Sequence, residues 1–384
     1  MVPYLQTVKR VILLTGTPVL NKNVEMFSLL KIIRPDCFND PYEFQSYFCG
    51  RGYYSSFTNE MVYPSITKTA EFRLIFSNVA LRRLKSDVLT QLPSKIRHRV
   101  IVKMEGQSNC VLSGSNSELL QQVRDLDMDF MKYTKKDRPH AQKNVSISKL
   151  SKMYSSVATA KIESIFNFAK ELIDHRDVLR LVIFMHHRRA IDELSMRFKE
   201  GKIRCEFITG STPDWEKQQT LKSFQDLSST TPSFNKNKQN AFMNCKNPDK
   251  PRPLVLILSL TSACTGLTLT ASSTVIFGEL SWVPAILEQA EDRVHRISQT
   301  KSVNIYYLIG MKTIDEYIYD LLEKKSRDIG QFLDKNEKGK FNQFDKFGNM
   351  KFDKGKKTNK QIDYSYKKDS QSEAKIVDPM NREP

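Results

Sequence analysis

No C-x-x-C pair occurs in the 384 residues, and the six cysteines (Cys37, Cys49, Cys110, Cys205, Cys245, Cys264) are scattered. That spacing indicates neither a zinc site nor a disulfide framework, and a reduced intracellular compartment is the expectation. No run of about 18 apolar residues exists, so no stretch reads as a membrane-spanning helix. The apolar run in MVPYLQTVKRVILL is too short for a secretory signal and leads straight into a strand-like stretch. Negative charge is in deficit, with 43 acidic against 60 basic residues, a net charge of +17 and a pI of about 9.4. That excess points to a polyanionic partner, nucleic acid or an anionic membrane surface; a merely solvated basic surface is the alternative. The length exceeds one typical domain, so two core-forming units plus flexible parts are expected.

What is present is a chain of apolar runs alternating with helical spacings. RVILL (Arg10–Leu14) ends in the turn-like TGTP and reads as a buried parallel strand followed by a loop. Asn23–Ile33 has helical spacing and stops before Pro35; His98–Met104 reads as a strand. Residues 1–105 thus read as part of an α/β unit. Residues 106–156 are polar and mixed and read as a linker, with a helix at Glu118–Tyr133 and a loop at Thr134–Lys149.

From 157 to 333 the alternation is regular. Strands are expected at Leu179–His187, Cys205–Gly210, Leu254–Leu260, Ser273–Glu279 and Val303–Ile309. Helices are expected at Ala160–Ile173, Ile191–Phe198, Trp215–Phe224, Pro284–His295 and Ile314–Leu333. Strand–helix alternation implies right-handed crossovers and a mostly parallel sheet covered on both faces, so the fold class is α/β. Residues 228–252, rich in Asn, Lys and Pro, read as a disordered insertion; 334–384, lysine-rich and poor in aliphatics, reads as a basic flexible tail.

Six segments then stand in order: ILLTGTPVLN (12–21), LRRLKSDVLTQLP (81–93), FMHHRRAIDEL (184–194), ITGST (208–212), LSLTSACTGLTLTASSTVIFGELSW (258–282) and EQAEDRVHRISQ (288–299). The ordered set closely resembles the Swi/Snf family of DNA-dependent ATPases in helicase superfamily two, and its wording is nearest to the annealing-helicase branch that remodels stalled replication forks. The resemblance runs from about Pro3 to Leu333. It implies two RecA-like lobes closing on ATP: the C-terminal part of a first lobe at 1–105 and a complete second lobe at 157–333. It also implies Mg2+, DNA as the partner and a nuclear location.

Carried onto this chain, the resemblance makes Arg293 and Arg296 the groups that reach the γ-phosphate, with Gln289 setting their geometry. Their chemistry fits independently: a guanidinium is always charged and presents forked donors to phosphate oxygens. The alternative is an amphipathic helix with surface arginines. Thr15, Gly16 and Thr17 are the expected link between nucleotide state and DNA, with Gly16 permitting a tight turn. Ser259 and Thr261 are candidate phosphate contacts, and Gly266 a place of close backbone approach. The wider family has two glycines where Ala263 and Cys264 stand here, and a glycine where Ser298 stands. His186 and His187 lie at a strand's C-terminal end, where open α/β sheets bind ligands, and resemble a DNA-contacting segment. Thr209 and Ser211 offer hydroxyls to a phosphate strand; a plain solvated loop is the alternative for both segments. Arg82, Arg83 and Lys85 brace the lobes by resemblance, with DNA contact and solvated charge both open. Adjacent histidines diverge, so no metal site is expected.

Two family motifs are missing. No G-x-x-x-x-G-K-[ST] loop is present: the Gly-Lys pairs at Gly201, Gly339 and Gly355 lack the following Ser or Thr. No D-E-x-H box is present either, since the pairs at Asp192 and Asp315 lack the histidine. The expectation is a fragment of a longer translocase, without appreciable ATPase activity by itself; a truncated, non-catalytic DNA-binding protein is the alternative. Within the class, a nucleosome-remodelling ATPase is the competing reading.

Overall fold

The computed structural model describes residues 8–19, 25–49, 66–102, 147–176, 178–226, 253–263 and 266–334, together with Leu5 and short pieces at 52–55 and 60–62. The expected helix at 118–133, the insertion at 228–252 and the tail beyond 334 lie outside them.

The core is one six-stranded sheet. Its strands are β3 (Lys95–Val102), β4 (Arg180–Met185), β5 (Arg204–Ile208), β6 (Leu254–Ser259), β7 (Thr274–Phe277) and β8 (Val303–Gly310). The order across the sheet is β3-β8-β7-β4-β6-β5, and every neighbouring pair is parallel. Every residue of β4, β6 and β7 is buried. Continuous apolar runs such as RLVIFM follow from that, because a parallel sheet is covered on both faces and leaves no side for water.

Successive side chains separate into two layers. Val182, Phe184, Val275 and Phe277 pack with α5 (Ile147–Ala160), α10 (Pro284–Val294) and α11 (Ile314–Asp334). Leu181, Ile183, Met185 and Ile276 pack on the other face with α6 (Ile162–Arg176) and α7 (Arg188–Glu200). A helix α8 (Asp214–Gln225) follows β5, and a four-residue turn α9 (Leu260–Ala263) follows β6.

A second, smaller core is largely aromatic. Phe27, Phe38, Phe44, Phe48 and Phe72 cluster with Met26 and Leu30. They come from α1 (Met26–Ile33), α2 (Pro41–Phe48), α3 (Thr69–Val79) and the segments between them. Ring centroids stand 5.1–5.9 Å apart between Phe44 and its neighbours Phe27, Phe38, Phe48 and Phe72. Two three-residue antiparallel strands, β1 (Tyr53–Ser55) and β2 (Glu60–Val62), and one further helical turn, α4 (Lys85–Val88), complete this half.

Three expectations are corrected. Arg10–Leu14 is not a buried strand: it pairs with no strand among the described residues, and Ile12 and Leu14 are 85% and 93% exposed. An apolar run becomes a buried strand only when neighbours hydrogen-bond both its edges, and the described residues supply none. The strand expected at His98–Met104 forms at Lys95–Val102 and pairs with β8 from Lys95↔Val303 to Val102↔Gly310, so it closes one edge of the large sheet. The expected linker is not irregular to its end. From residue 147 it is helix α5, whose Met153, Tyr154 and Val157 are buried against the sheet.

Candidate functional site

The chain changes direction in the sheet between β4 and β7. These strands are neighbours, yet β4 leads into α7 on one face while β7 leads into α10 on the other. A crevice opens at the C-terminal ends of two such strands, because no helix covers the point where their connections diverge. His186 and His187 follow β4 there, and GELSW follows β7. Ser259 ends β6 and Thr209 follows the end of β5 at the same level, by the register Ile208↔Leu258 and Met185↔Ser259.

The hydroxyls in this rim are organised by a residue the sequence reading passed over. Arg188 donates from Nη1 to Thr209 Oγ1 and Ser211 Oγ, both at 2.8 Å, while its Nε pairs with Asp192 at 3.0 Å. Ser259 Oγ and Thr261 Oγ1 stand 2.8 Å apart. Arg188 was legible as the third residue of HHRRA, but its link to residues 209–211 spans a helix and a strand and no spacing announces it. His186 is exposed on one side, and the partial burial of its ring, with the neighbouring His187, lowers its pKa against the opposing pull of Glu279.

The arginine segment is built by α10. Proline opens the helix, and Ala285, Leu287, Ala290, Glu291 and Val294 form its buried face. The helix ends at Val294, so only Arg293 is helical; Arg296 stands in the following turn rather than on a shared helical face. That turn is held by buried Gln299, which donates to Ser272 O (2.8 Å) and accepts from the Thr300 and Lys301 N–H groups (3.0 Å each). Ser298, where a glycine was expected, ties the turn to Thr270 Oγ1 at 3.0 Å. Arg296 is exposed and donates from Nη1 to Thr268 Oγ1 at 3.1 Å.

Glu291 is completely buried and was not singled out by the sequence. Its oxygens accept from Arg97 at 2.6 Å twice, from Lys95 at 2.7 Å and from the Tyr307 hydroxyl at 2.5 Å. Burial alone would raise its pKa; the charges of Arg97 and Lys95 drive it well below the usual carboxylate range. Lys85 pairs with Asp292 at 2.9 Å and donates to His295 O at 3.2 Å, and His295 Nε2 lies 2.8 Å from Pro93 O. The Lys85 charge thus faces the arginine helix. Arg83 is exposed, and Arg82 lines a small junction cavity with Gly16, Thr17, Pro284, Glu288 and Ile329.

At that junction Gln289 Nε2 donates to Thr17 Oγ1 at 2.7 Å, across 272 residues of chain. Thr15 Oγ1 accepts the Thr17 N–H at 3.2 Å and shapes the loop. Neither glycine is crowded by the chain around it. A side chain at Gly16 would meet nothing within 4 Å, and no left-handed φ occurs there. Gly266 is equally uncrowded, but its φ of +55° is the conformation that favours glycine.

Residues 1–170 match the SNF2-related domain, and residues 164–298 match the helicase conserved C-terminal domain. The chain belongs to the Swi/Snf branch of the helicase-like proteins. It is 30% identical over 335 residues to the DNA annealing helicase and endonuclease ZRANB3 of Bos taurus, covering 87% of this chain and 28% of that one. It is 29% identical over 330 residues to the SWI/SNF-related matrix-associated actin-dependent regulator of chromatin subfamily A-like protein 1 of Xenopus tropicalis, covering 86% and 31%. The homologue of the latter in Caenorhabditis elegans is 30% identical over 324 residues, covering 84% and 41%. The chain thus spans about a third of the length of the curated relatives it matches. Members of this family use ATP with Mg2+. The two guanidiniums fit a triphosphate, one of them exposed and each with five N–H donors. Among the described residues no group of three or more His, Cys, Asp and Glu is placed to hold a metal ion. No helix among them is long and apolar enough to cross a membrane.

Proposed function

We propose that this chain is the arginine-bearing, DNA-gripping part of an ATP-driven DNA translocase of the annealing-helicase type, acting at forked DNA in the nucleus. The single observation that carries the reading is the Gln289–Thr17 hydrogen bond. It joins the loop that reports on DNA to the helix that carries Arg293 and leads into the turn with Arg296, so a change at one is felt at the other. Arg293 and Arg296 hold the γ-phosphate and stabilise the charge that spreads over it during transfer. ATP supplies the free energy by favouring the closed arrangement of the two units, and its loss releases them. Arg188, Thr209, Ser211, Ser259, Thr261, His186 and His187 form the phosphate-facing rim, which reads backbone and not bases. The residue range 1–94 belongs to the first lobe and 95–102 with 147–334 to the second.

The test is binding of the full 384-residue chain to fluorescent forked DNA, linear duplex and nucleosomes over a salt series. The reading expects tighter binding to forks than to linear duplex, a steep fall with salt, and no gain from histones. Binding only to nucleosomes would move the chain to the remodelling class. No DNA binding at ~10⁻⁴ M, the weak end of ordinary non-specific affinity, would end the reading.

A further inference from the structure

The crevice between β4 and β7 contains a charged group that the reading above leaves unused. Glu279 lies two residues past β7 and is 1% exposed. The chain reaches this position through Gly278, whose N–H donates to Phe184 O at 3.0 Å. A Cβ at Gly278 would stand 2.4 Å from Met185 Sδ and 2.8 Å from Ile165 Cδ1, so a side chain here would have to push both aside for the strand end to pass this close beneath β4. Sequence and packing thus cooperate to bring a carboxylate under the histidine loop.

Both oxygens of that carboxylate are used on the loop. One accepts the backbone N–H groups of His186 (2.7 Å) and His187 (2.9 Å); the other contacts His187 Nδ1 at 2.5 Å. Burial would raise the Glu279 pKa, yet the hydrogen bonds from His187 and His186 bring it below its ordinary value, so it is a carboxylate. A carboxylate only accepts, so His187 carries its proton on Nδ1. The His187 ring is also pinned by its neighbours: Tyr154 at 4.7 Å and 69°, and His186 at 5.0 Å and 88°. Tyr154 is itself fixed by its hydroxyl, which donates to Leu280 O. The remaining nitrogen of His187, Nε2, makes no hydrogen bond among the described residues, and the side chain is 21% exposed.

We propose that Glu279 is a positioning residue for DNA: it holds His187 at the crevice mouth, Nδ1–H engaged, so that Nε2 meets a backbone phosphate. This rests on the DNA reading above. A phosphate oxygen only accepts, so Nε2 must also carry a proton in the complex. The ring is then an imidazolium whose charge is balanced by Glu279 behind and phosphate in front. The two backbone N–H groups at 186 and 187 are already committed to Glu279, so contact at this point runs through the ring and not through main-chain amides. The His186 ring makes no such carboxylate hydrogen bond among the described residues; it packs edge-on against His187 and faces the same rim.

Glu279→Gln separates position from charge. Its amide oxygen can keep both backbone N–H groups, while its NH2 donates to Nδ1 and moves the ring proton to Nε2. The measurement is duplex and fork affinity of the full chain for wild type, His187→Ala, Glu279→Gln and the double variant, with melting midpoints for each and 15N spectra of the histidine rings in the DNA complex. The expected result is a loss of roughly ten- to a hundred-fold for His187→Ala, the scale of one charge-assisted hydrogen bond. Glu279→Gln should weaken binding several-fold, and the double variant should be no weaker than His187→Ala. The wild-type complex should show protons on both nitrogens of His187, and Glu279→Gln a proton on Nε2 alone.

Wild-type affinity in both single variants, or a double variant that multiplies the two losses, overturns the proposal and leaves the DNA reading standing. Absence of binding by the wild type overturns the DNA reading, and this proposal with it. Should Glu279→Gln not fold, the wild-type ring spectra decide: no proton on Nε2 in the complex defeats the idea.

Discussion

At Glu291 one carboxylate answers two cations and a hydroxyl, all inside the protein. Such a cluster gives little net stability, because desolvating each charge costs about what the pairing returns. Its removal is a different matter. Glu291→Ala leaves Arg97 and Lys95 without their shared counter-charge, and Arg97 is itself 4% exposed. The expected loss is ~3–5 kcal/mol in chemical denaturation, the range for breaking a buried pair from one side. A loss below about 1 kcal/mol, the range of exposed pairs, would mean that water reaches the cluster. The pH dependence of stability follows from the same kind of group. Glu279, Glu291, His186 and His295 all have lowered pKa values when folded, so the unfolded chain binds more protons and stability rises with pH. The histidine contribution is present above the ordinary value of 6.5 and declines below it; the glutamate contribution is present above 4.5 and declines below that. Melting midpoints should therefore fall in two steps between pH 7.5 and 3.5, and a midpoint that rises on acidification would contradict the assignment.

At the scale of elements, the inner strands β4, β6 and β7 were legible because each is a continuous apolar run, and both-sided burial leaves no other pattern. The same logic misread Arg10–Leu14, since an apolar run states that a strand is possible but not which strands flank it. Residues 95–102 were legible as a strand but not as a member of the large sheet, because KIRHRVIV has polar positions that an internal strand would lack. At the sheet edge those positions become an asset: Arg97 reaches Glu291 and His98 stacks on Tyr306 at 4.7 Å. Helix α5 was hidden by polar composition, although its buried face recurs as Met153, Tyr154 and Val157. The arginines were singled out through the resemblance of their segment to the family's, whereas Glu279 and Glu291 stood inside the same motifs unread. A buried carboxylate is identified by partners far away in sequence, and His187–Glu279 is separated by 92 residues. Packing at Gly278 is likewise invisible in the sequence. Gly278→Ala should destabilise by ~1–3 kcal/mol through overpacking against Met185 and Ile165. It should also loosen the His187 loop, seen as faster amide exchange at 186 and 187; unchanged exchange would show that the strand end can shift without disturbing Glu279.

At the scale of the molecule, two cores of unequal size meet along α11. Tyr317, Ile318, Tyr319 and Leu322 anchor this helix in the sheet unit, while Ile329, two turns further on, packs on the aromatic cluster of the other. The described polar links across the junction are isolated ones: Gln289 with Thr17, worth about 0.5–1.5 kcal/mol as a single hydrogen bond, the partly exposed pair of Lys85 with Asp292, and contacts of Lys85 and Pro93 with His295. A junction of such contacts suits parts that must move relative to one another, and it predicts that the units do not unfold as one. Calorimetry of the full chain should show two transitions, the lower one from the aromatic unit, whose core is the smaller. Ile329→Asp should lower that first transition, because it places a charge against Phe72 and its neighbours, and leave the second within about a degree, since α11 remains held by Tyr317 to Leu322. If the second transition moved by the same amount, the two cores would be one cooperative body. The Gln289–Thr17 bond would then be a passive contact within it, without a part in coupling arginines to DNA.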